Sequence, residues 1–453
     1  MSRLKNIIPY LLYMTLIIWA IKDGFFWDSV QLGSKHAHFY FENNLVFRIL
    51  PDEINSGHLP IFGYYLALVW KIFGKSLIVS HLAMLPFVFG IVFFVNQLCR
   101  LRFSGPLFLL YVLVLLSDPT LVAQVGLMGP DLPLICFFLA SLYYHSSRNE
   151  ILKSLFLLLL SMISMRGMFL VSAFFLFDMI IEKRSIKDLV KLYLPSVLTI
   201  SIFFILHYSS KGWIGFHSDS PWSQSFALDH IAALIKKPFI IFWRLIDFNR
   251  WFIFLLTFIF AVKMFKADKK LYLITSELYL LGIITMIFGL VGTMFSGLTA
   301  HRYFLPINIL VSLYFLRMVK LSGFKAKTKQ SILISTIVIL SLGHLIIYPA
   351  HIDQGWDASL AHKPYFHLRA EVDSYLQEND IDKKSVCTAF PDLAQGKYYA
   401  LNNDKSSFSR LTSNDCAYIL ISNVHNDIEP ADFEGKKLVK EWRVLGVWYR
   451  LLQ

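Results

Sequence analysis

Charge is scarce in this chain. Asp, Glu, Lys and Arg make up 16% of its 453 residues, and apolar residues make up 56%. Soluble globular proteins carry about 25% charge, so an ordinary soluble fold is excluded. Acids are the rarer sign, 31 against 43 basic residues, for a net charge of +12. The basic residues lie in short loops between apolar runs, which excludes nucleic acid, the partner a positive balance would otherwise suggest. No small-x-small site follows the first apolar run, where Trp19-Ala20-Ile21-Lys22 is poorly suited to cleavage. That run reads as an uncleaved first helix. No internal repeat is visible, which weighs against the transporter folds built from duplicated halves. Cysteines number only four. Cys99 and Cys136 fall in or beside apolar runs, while Cys387 and Cys416 lie in the tail. Two buried free thiols is the plainer reading of the tail pair, and an oxidising compartment would permit a disulfide.

What is abundant is apolar and aromatic. The 41 Phe, 21 Tyr and 10 Trp residues suit lipid contact and interfacial belts. Apolar runs lie near 7–21, 76–98, 105–117, 132–145, 151–165, 168–181, 192–207, 251–264, 272–296, 303–317 and 331–348. Several are shorter than the ~20 residues a perpendicular helix needs, so the helices are expected to extend into the flanking loops. With a cytoplasmic N-terminus, alternate loops hold Arg100 and Arg102, then Arg148 and Lys153, then Lys183, Arg184, Lys187 and Lys191. The next hold Lys263, Lys266, Lys269 and Lys270, and finally Lys320, Lys325, Lys327 and Lys329. This is the positive-inside pattern. The expected fold is an all-α polytopic membrane protein of about eleven transmembrane helices, with added interfacial helices and a small C-terminal α/β domain outside the cytoplasm. The expected setting is a bacterial inner or plasma membrane, with membrane lipids as neighbours.

The expected division is a membrane part over 1–348 and a soluble part over 349–453. An outer loop spans 22–75, and within it Pro60 to Phe73 is amphipathic and ends at Gly74, as an interfacial helix would. A second outer loop spans 208–250, and its end from Pro238 to Arg250 is another interfacial candidate. In the tail a helix is expected from Tyr365 to Gln377, with strands at Ser385–Phe390, Ala417–Ser422 and Trp442–Leu451.

The residues that suggest chemistry share one expected face. Trp27-Asp28-Ser29-Val30-Gln31-Leu32-Gly33 opens the first outer loop, and Gly57-His58-Leu59-Pro60 closes it. Met128-Gly129-Pro130-Asp131-Leu132-Pro133 brings a second acid to the membrane boundary, and Arg166-Gly167 and His301-Arg302-Tyr303 fall at the same side. Carboxylates that are costly to desolvate, set beside cations at an interface, suit a lipid phosphate and a hydroxyl. The acid can act as general base and the cations can stabilise a departing phosphate. Lys35, His36 and His38 form no convincing metal set without a third placed ligand.

These motifs resemble the GT-C glycosyltransferases, most closely family 39, which holds the protein O-mannosyltransferases and the aminoarabinose transferase acting on lipid A. The stretch from Trp27 to Gly33, then Gly57-His58-Leu59-Pro60-Ile61 and the helix ending Phe73-Gly74, is similar to that family's first outer loop. Pro130-Asp131-Leu132-Pro133-Leu134 is similar to its second acidic motif, and His301-Arg302-Tyr303-Phe304-Leu305-Pro306 to its Arg-Tyr-x-Leu-Pro stretch. The resemblance covers roughly the first 320 residues. It implies a polyprenyl-phosphate sugar donor, a lipid, glycan or protein acceptor, and inverting single displacement within cell-envelope glycan biosynthesis. Asp28 would be the base, and Asp131 would support the site or orient the acceptor. His58, Arg166, His301, Arg302 and Tyr303 would bind substrate, with Arg302 on the donor phosphate. No cofactor is implied, although some GT-C enzymes use a divalent cation. Two departures bear on the acceptor: Ser29 stands where the mannosyltransferases carry Glu, and Leu59 where they carry Pro.

Each residue also has a plainer reading. Asp28 can be a solvated loop acid, Asp131 a helix cap, His58 a structural imidazole, and Arg302 or Arg166 a snorkelling anchor. At the level of the chain, the alternatives are a transporter or flippase of a lipid-linked saccharide and a non-catalytic assembly subunit. Transporters place ionisable groups near the bilayer midplane. Here the central portions of the runs are almost free of charge; Asp178 and Glu277 are exceptions, and Asp178 lies close to the cytoplasmic end of its run.

Overall fold

Apolar stretches that exclude water must satisfy their backbone internally, and in this chain they are helical. The computed structural model describes residues 2–215, 217, 218, 223, 225, 227, 231–266, 275–349, 352–411, 416–426, 428, 433 and 435–453. Lys269, Lys270, the start of the run at 272–296 and parts of the loop at 208–250 lie outside the described residues.

In chain order the helices are α1 (Ser2–Ala20), α2 (His36–Glu42), α3 (Ile61–Phe73), α4 (Leu77–Leu82), α5 (Leu85–Arg102), α6 (Phe108–Leu116), α7 (Pro119–Val125) and α8 (Asp131–Ser146). They continue with α9 (Glu150–Ile163), α10 (Met165–Ile180), α11 (Ile186–Lys211), α12 (Ile231–Ile246), α13 (Trp251–Lys266), α14 (Ser276–Met294), α15 (Leu305–Leu321) and α16 (Ala326–Leu342). Each of the eleven apolar runs falls on a helix. Among the described residues, five helices can cross a membrane by length and composition, or up to seven if each of two bent pairs is one span. The difference lies in length, since α8, α9 and α10 are each shorter than a perpendicular span needs. Ser164 separates α9 from α10, which have 14 and 16 residues. α6 and α7 bend by 72°, and α12 and α13 by 93°.

Both bends have a polar cause. Asp118 caps α7, accepting from the Thr120 and Leu121 amides at 2.9 and 3.1 Å, with Pro119 in the first turn. Asp247 to Arg250 form the other corner, where Phe248 and Asn249 take φ of 49° and 66°. Arg250 joins the two corners, donating to both oxygens of Asp118 at 2.6 and 2.7 Å. Both partners are buried, where a bidentate pair compensates desolvation that either charge alone could not.

The window at His301–Leu321, which takes in α15, is 83% buried, against 22% for Ser276–Met294. α15 is therefore the central helix, and Arg302 stands at its head. At the far end of the bundle, Lys153 and Asp178 pair at 2.5 Å with side chains 0% exposed, and the Tyr193 hydroxyl donates to Asp178 at 2.7 Å.

The tail forms the expected small α/β unit. α17 (Pro364–Glu378) is followed by β1 (Val386–Thr388), α18 (Gly396–Tyr399), β2 (Ser409–Arg410), β3 (Tyr418–Ser422), β4 (Leu438–Val444) and β5 (Val447–Leu452). The strand order is β2-β1-β3-β5-β4. β1 is parallel to both neighbours, and β5 is antiparallel to β3 and β4. The run at Trp442–Leu451 is thus a hairpin and not one strand. It turns at Leu445-Gly446, both with positive φ, as two-residue hairpin turns require. Cys387 and Cys416 form a disulfide, which corrects the free-thiol reading: the β1–β3 pairing brings their Cα atoms to 5.5 Å.

The tail is fastened to the bundle by its core. Phe26 of the first loop is 1% exposed within the tail's hydrophobic cluster, stacked on His362 at 5.3 Å and edge-on to Tyr365 at 4.8 Å. The Phe25 amide donates to Tyr399 O at 2.7 Å, and Gln124 Nε2 to Asp357 O at 2.9 Å. Emptying the Phe26 position should cost about 3–5 kcal/mol. Phe26→Ala is expected to lower the thermal midpoint in detergent and make the tail a faster protease target; wild-type proteolysis would refute this fastening role.

Candidate functional site

The first loop reaches the site through a strained turn. Trp27 holds φ at 52°, which costs a bulky residue roughly 1–3 kcal/mol. Its ring is braced against Phe390 of the tail at 5.4 Å. Ser29 Oγ donates to Phe26 O at 2.7 Å and accepts from the Phe26 amide at 2.8 Å. The residue that departs from the family pattern is therefore a local clasp. A π-helical turn over Ser29–Lys35 follows, with Asp28 at its head, and such turns are common at functional sites. A Cβ on Gly33 would lie 2.9 Å from Met128 O. Only glycine lets the turn close on the Met128-Gly129-Pro130 loop, which sets Asp131 beside Asp28.

Arg166 arrives by a second close approach. α10 starts after the extended Ser164, whose Oγ accepts from the Gly167 amide at 3.4 Å. A Cβ on Gly167 would lie 1.9 Å from Leu160 O, so glycine is required where α9 meets α10. Arg166 ion-pairs with Asp131, and its guanidinium lies 4.5 Å from the Tyr303 ring centre.

Arg302 is the hub. Its guanidinium meets Asp28, Asp131 at 3.5 Å, and Asp357 of the tail. It also stacks on Tyr303 at 5.1 Å. Three carboxylates against two guanidinium groups leave one formal negative charge. Arg302 is 5% exposed, while the Asp28 side chain is 25% exposed and faces a cleft.

That cleft holds about 780 Å³ of empty space, its open mouth included. Asp28, His58, Arg166 and Tyr303 line its polar end. Leu32, Phe169, Phe288, Val291 and Leu298 make most of the rest apolar, with Ser164 and Ser225 beside them. Ser56 Oγ lines it too, buried with no hydrogen-bond partner. The buried His58 accepts no charge readily. Burial pushes its pKa down to about 4, with Arg166 acting in the same direction and a hydrogen bond to Leu59 O opposing.

The structure thus gathers Asp28, Asp131, His58, Arg166, Arg302 and Tyr303. It places His301 elsewhere: Nε2 contacts Asp247 Oδ2 at 2.5 Å, the Tyr348 hydroxyl shares that carboxylate, and the ring packs on Phe248. His301 belongs to the α12–α13 corner. Arg302 is set back from the cleft behind Asp28 and Tyr303, so Arg166 is the guanidinium on its wall. Sequence reasoning missed Asp357 and Ser56. The one signal for Asp357 was a second Trp-Asp pair, Trp356-Asp357, just past the last apolar run. His36 and His38 bond to backbone oxygens of Ile54 and Ser34. Among the described residues, no group of three or more His, Cys, Asp or Glu is arranged to hold a metal.

Compared with known proteins, the chain matches no family model, no curated protein and no solved structure.

Removing Arg302 leaves three clustered carboxylates facing Arg166 alone. Arg302→Met should cost roughly 3–5 kcal/mol, and adding Asp357→Asn should return part of it. Thermal unfolding in detergent measures both. A midpoint for Arg302→Met equal to wild type would remove Arg302 as the hub.

Proposed function

We propose that this chain is an integral membrane glycosyltransferase of GT-C type, taking a sugar from a polyprenyl-phosphate donor to a hydroxyl at the end of the bundle that carries the tail. The observation that carries this reading is one cleft with a part-exposed carboxylate, a guanidinium and a largely apolar wall. Those are the three things a base, a leaving phosphate and a prenyl chain need.

The step is a single displacement. The acceptor hydroxyl passes its proton to an Asp28 oxygen as its own oxygen attacks the anomeric carbon. The bond from that carbon to the phosphate oxygen breaks, and its electron pair leaves with the polyprenyl phosphate. Arg166 meets the charge that develops there, and the unpartnered Ser56 hydroxyl can donate to it. Arg302 orients Asp28, and Asp131 holds Arg166 over Tyr303. Inversion follows from attack opposite the leaving group. A transport path would favour an accessible ionisable group along the bundle, but Asp178 is closed off by Lys153 and Tyr193.

Transfer from radiolabelled polyprenyl-phosphate sugars, in membranes holding each variant, tests the proposal. Asp28→Asn should lower turnover about 10²–10⁴-fold while folding is kept, because Arg302 retains Asp131 and Asp357. Arg166→Ala should lose about 10²–10³-fold. Full transfer by Asp28→Asn would dismiss it as the base. Absence of transfer by wild type from every donor would favour the transport or assembly readings.

A further inference from the structure

Four cations crowd the seam between the first loop and the tail without an ion pair to any described carboxylate. Lys35 lies over the Tyr398 ring at 5.7 Å, and Lys397 over the same ring at 4.5 Å. The His38 ring meets Tyr398 at 5.0 Å. His38 Nδ1 must donate to Ser34 O at 2.9 Å, which leaves Nε2 to accept from Lys75 at 3.3 Å. Arg410 acts electrostatically on Lys35, and Lys397 on His38. Lys35, Lys75, Lys397 and Arg410 form no ion pair with any described carboxylate. Glu42, one turn beyond His38, acts on that imidazole and pairs with none of the four.

The contrast with nearby cations is sharp. Lys363, Arg369 and Lys383 are each paired with an aspartate. Burial first, and Arg410 second, push the Lys35 pKa down, the opposition that an anion among these cations would relieve. The adjoining end of α3 exposes Leu68, Ile72 and Phe73 by 41%, 63% and 70% beside Lys71 and Lys75. Exposed apolar tips among cations are the make-up of a surface at headgroup level.

We propose that Lys35, Lys75, Lys397 and Arg410 bind the phosphate of an anionic lipid headgroup, beyond the far end of the helical turn that Asp28 heads and separate from the Arg166 cleft. The site stands whether or not Asp28 acts as a base.

Full-length protein in a neutral maltoside detergent is titrated with dioctanoyl phosphatidic acid, dioctanoyl phosphatidylcholine and inorganic phosphate, with the thermal midpoint as readout. Phosphatidic acid should raise the midpoint, and phosphatidylcholine should not. A matching shift with inorganic phosphate would support the site with a free anion as a competent ligand; a shift with phosphatidic acid alone would support it as a lipid site. Lys35→Gln/Lys397→Gln/Arg410→Gln should bind roughly a hundredfold more weakly, at about a factor of five per cation. Lys436→Gln/Lys437→Gln, which removes charge elsewhere on the tail, should bind as wild type. No shift with either anion overturns the proposal. So does wild-type affinity in the triple variant, or binding lost only in Arg166→Ala, which would put the phosphate in the cleft.

Discussion

A guanidinium buried among three carboxylates organises this molecule. Arg302 is 5% exposed, and an uncompensated charge there would cost several kcal/mol. Its partners come from residues 28, 131 and 357, so meeting that one requirement draws together the first loop, the head of α8 and the start of the tail. The same logic repeats at the two bent helix pairs, where Arg250 and Asp118 share one bidentate contact. Charge compensation, not apolar packing alone, sets the geometry of this end of the bundle.

Glycine and strain supply the close contacts that compensation needs. Gly33 lets the π-helical turn reach Met128, and Gly167 lets α10 start against Leu160. Trp27 takes a left-handed conformation that the tail braces through Phe390. The tail is therefore part of the site: it supplies Asp357 and holds the turn that ends in Asp28. In the proposed reaction this rigidity keeps the base fixed while the cleft stays open to a prenyl chain.

Much of the arrangement was legible in the residues. The apolar runs fall on helices, α3 lies between Pro60 and Gly74 as its amphipathic pattern implies, and the tail's change in composition marks a sheet with α17 beside it. Of seven residues singled out by motif, six converge. Motif and spacing reveal them because a loop acid or a helix-end cation stands out against an apolar background. His301 shares its motif with Arg302 yet faces Asp247, because neighbours on a tight 3₁₀ turn point in different directions. The number of crossing helices was less legible, since several apolar runs fold as helices shorter than a span, α9 and α10 among them, and hydropathy alone does not fix where a helix ends.

The sequence by itself determined the helical class, the polar groups placed at helix ends and the separate tail, because hydropathy and period are local properties. Only the tertiary structure decided that Asp357 joins Asp28 and Asp131 on Arg302, that Arg166 and not Arg302 faces the cleft, and that Cys387 meets Cys416. Those are contacts between residues far apart in the chain. They follow from how buried charges find partners once the helices have packed, and no local pattern encodes that choice.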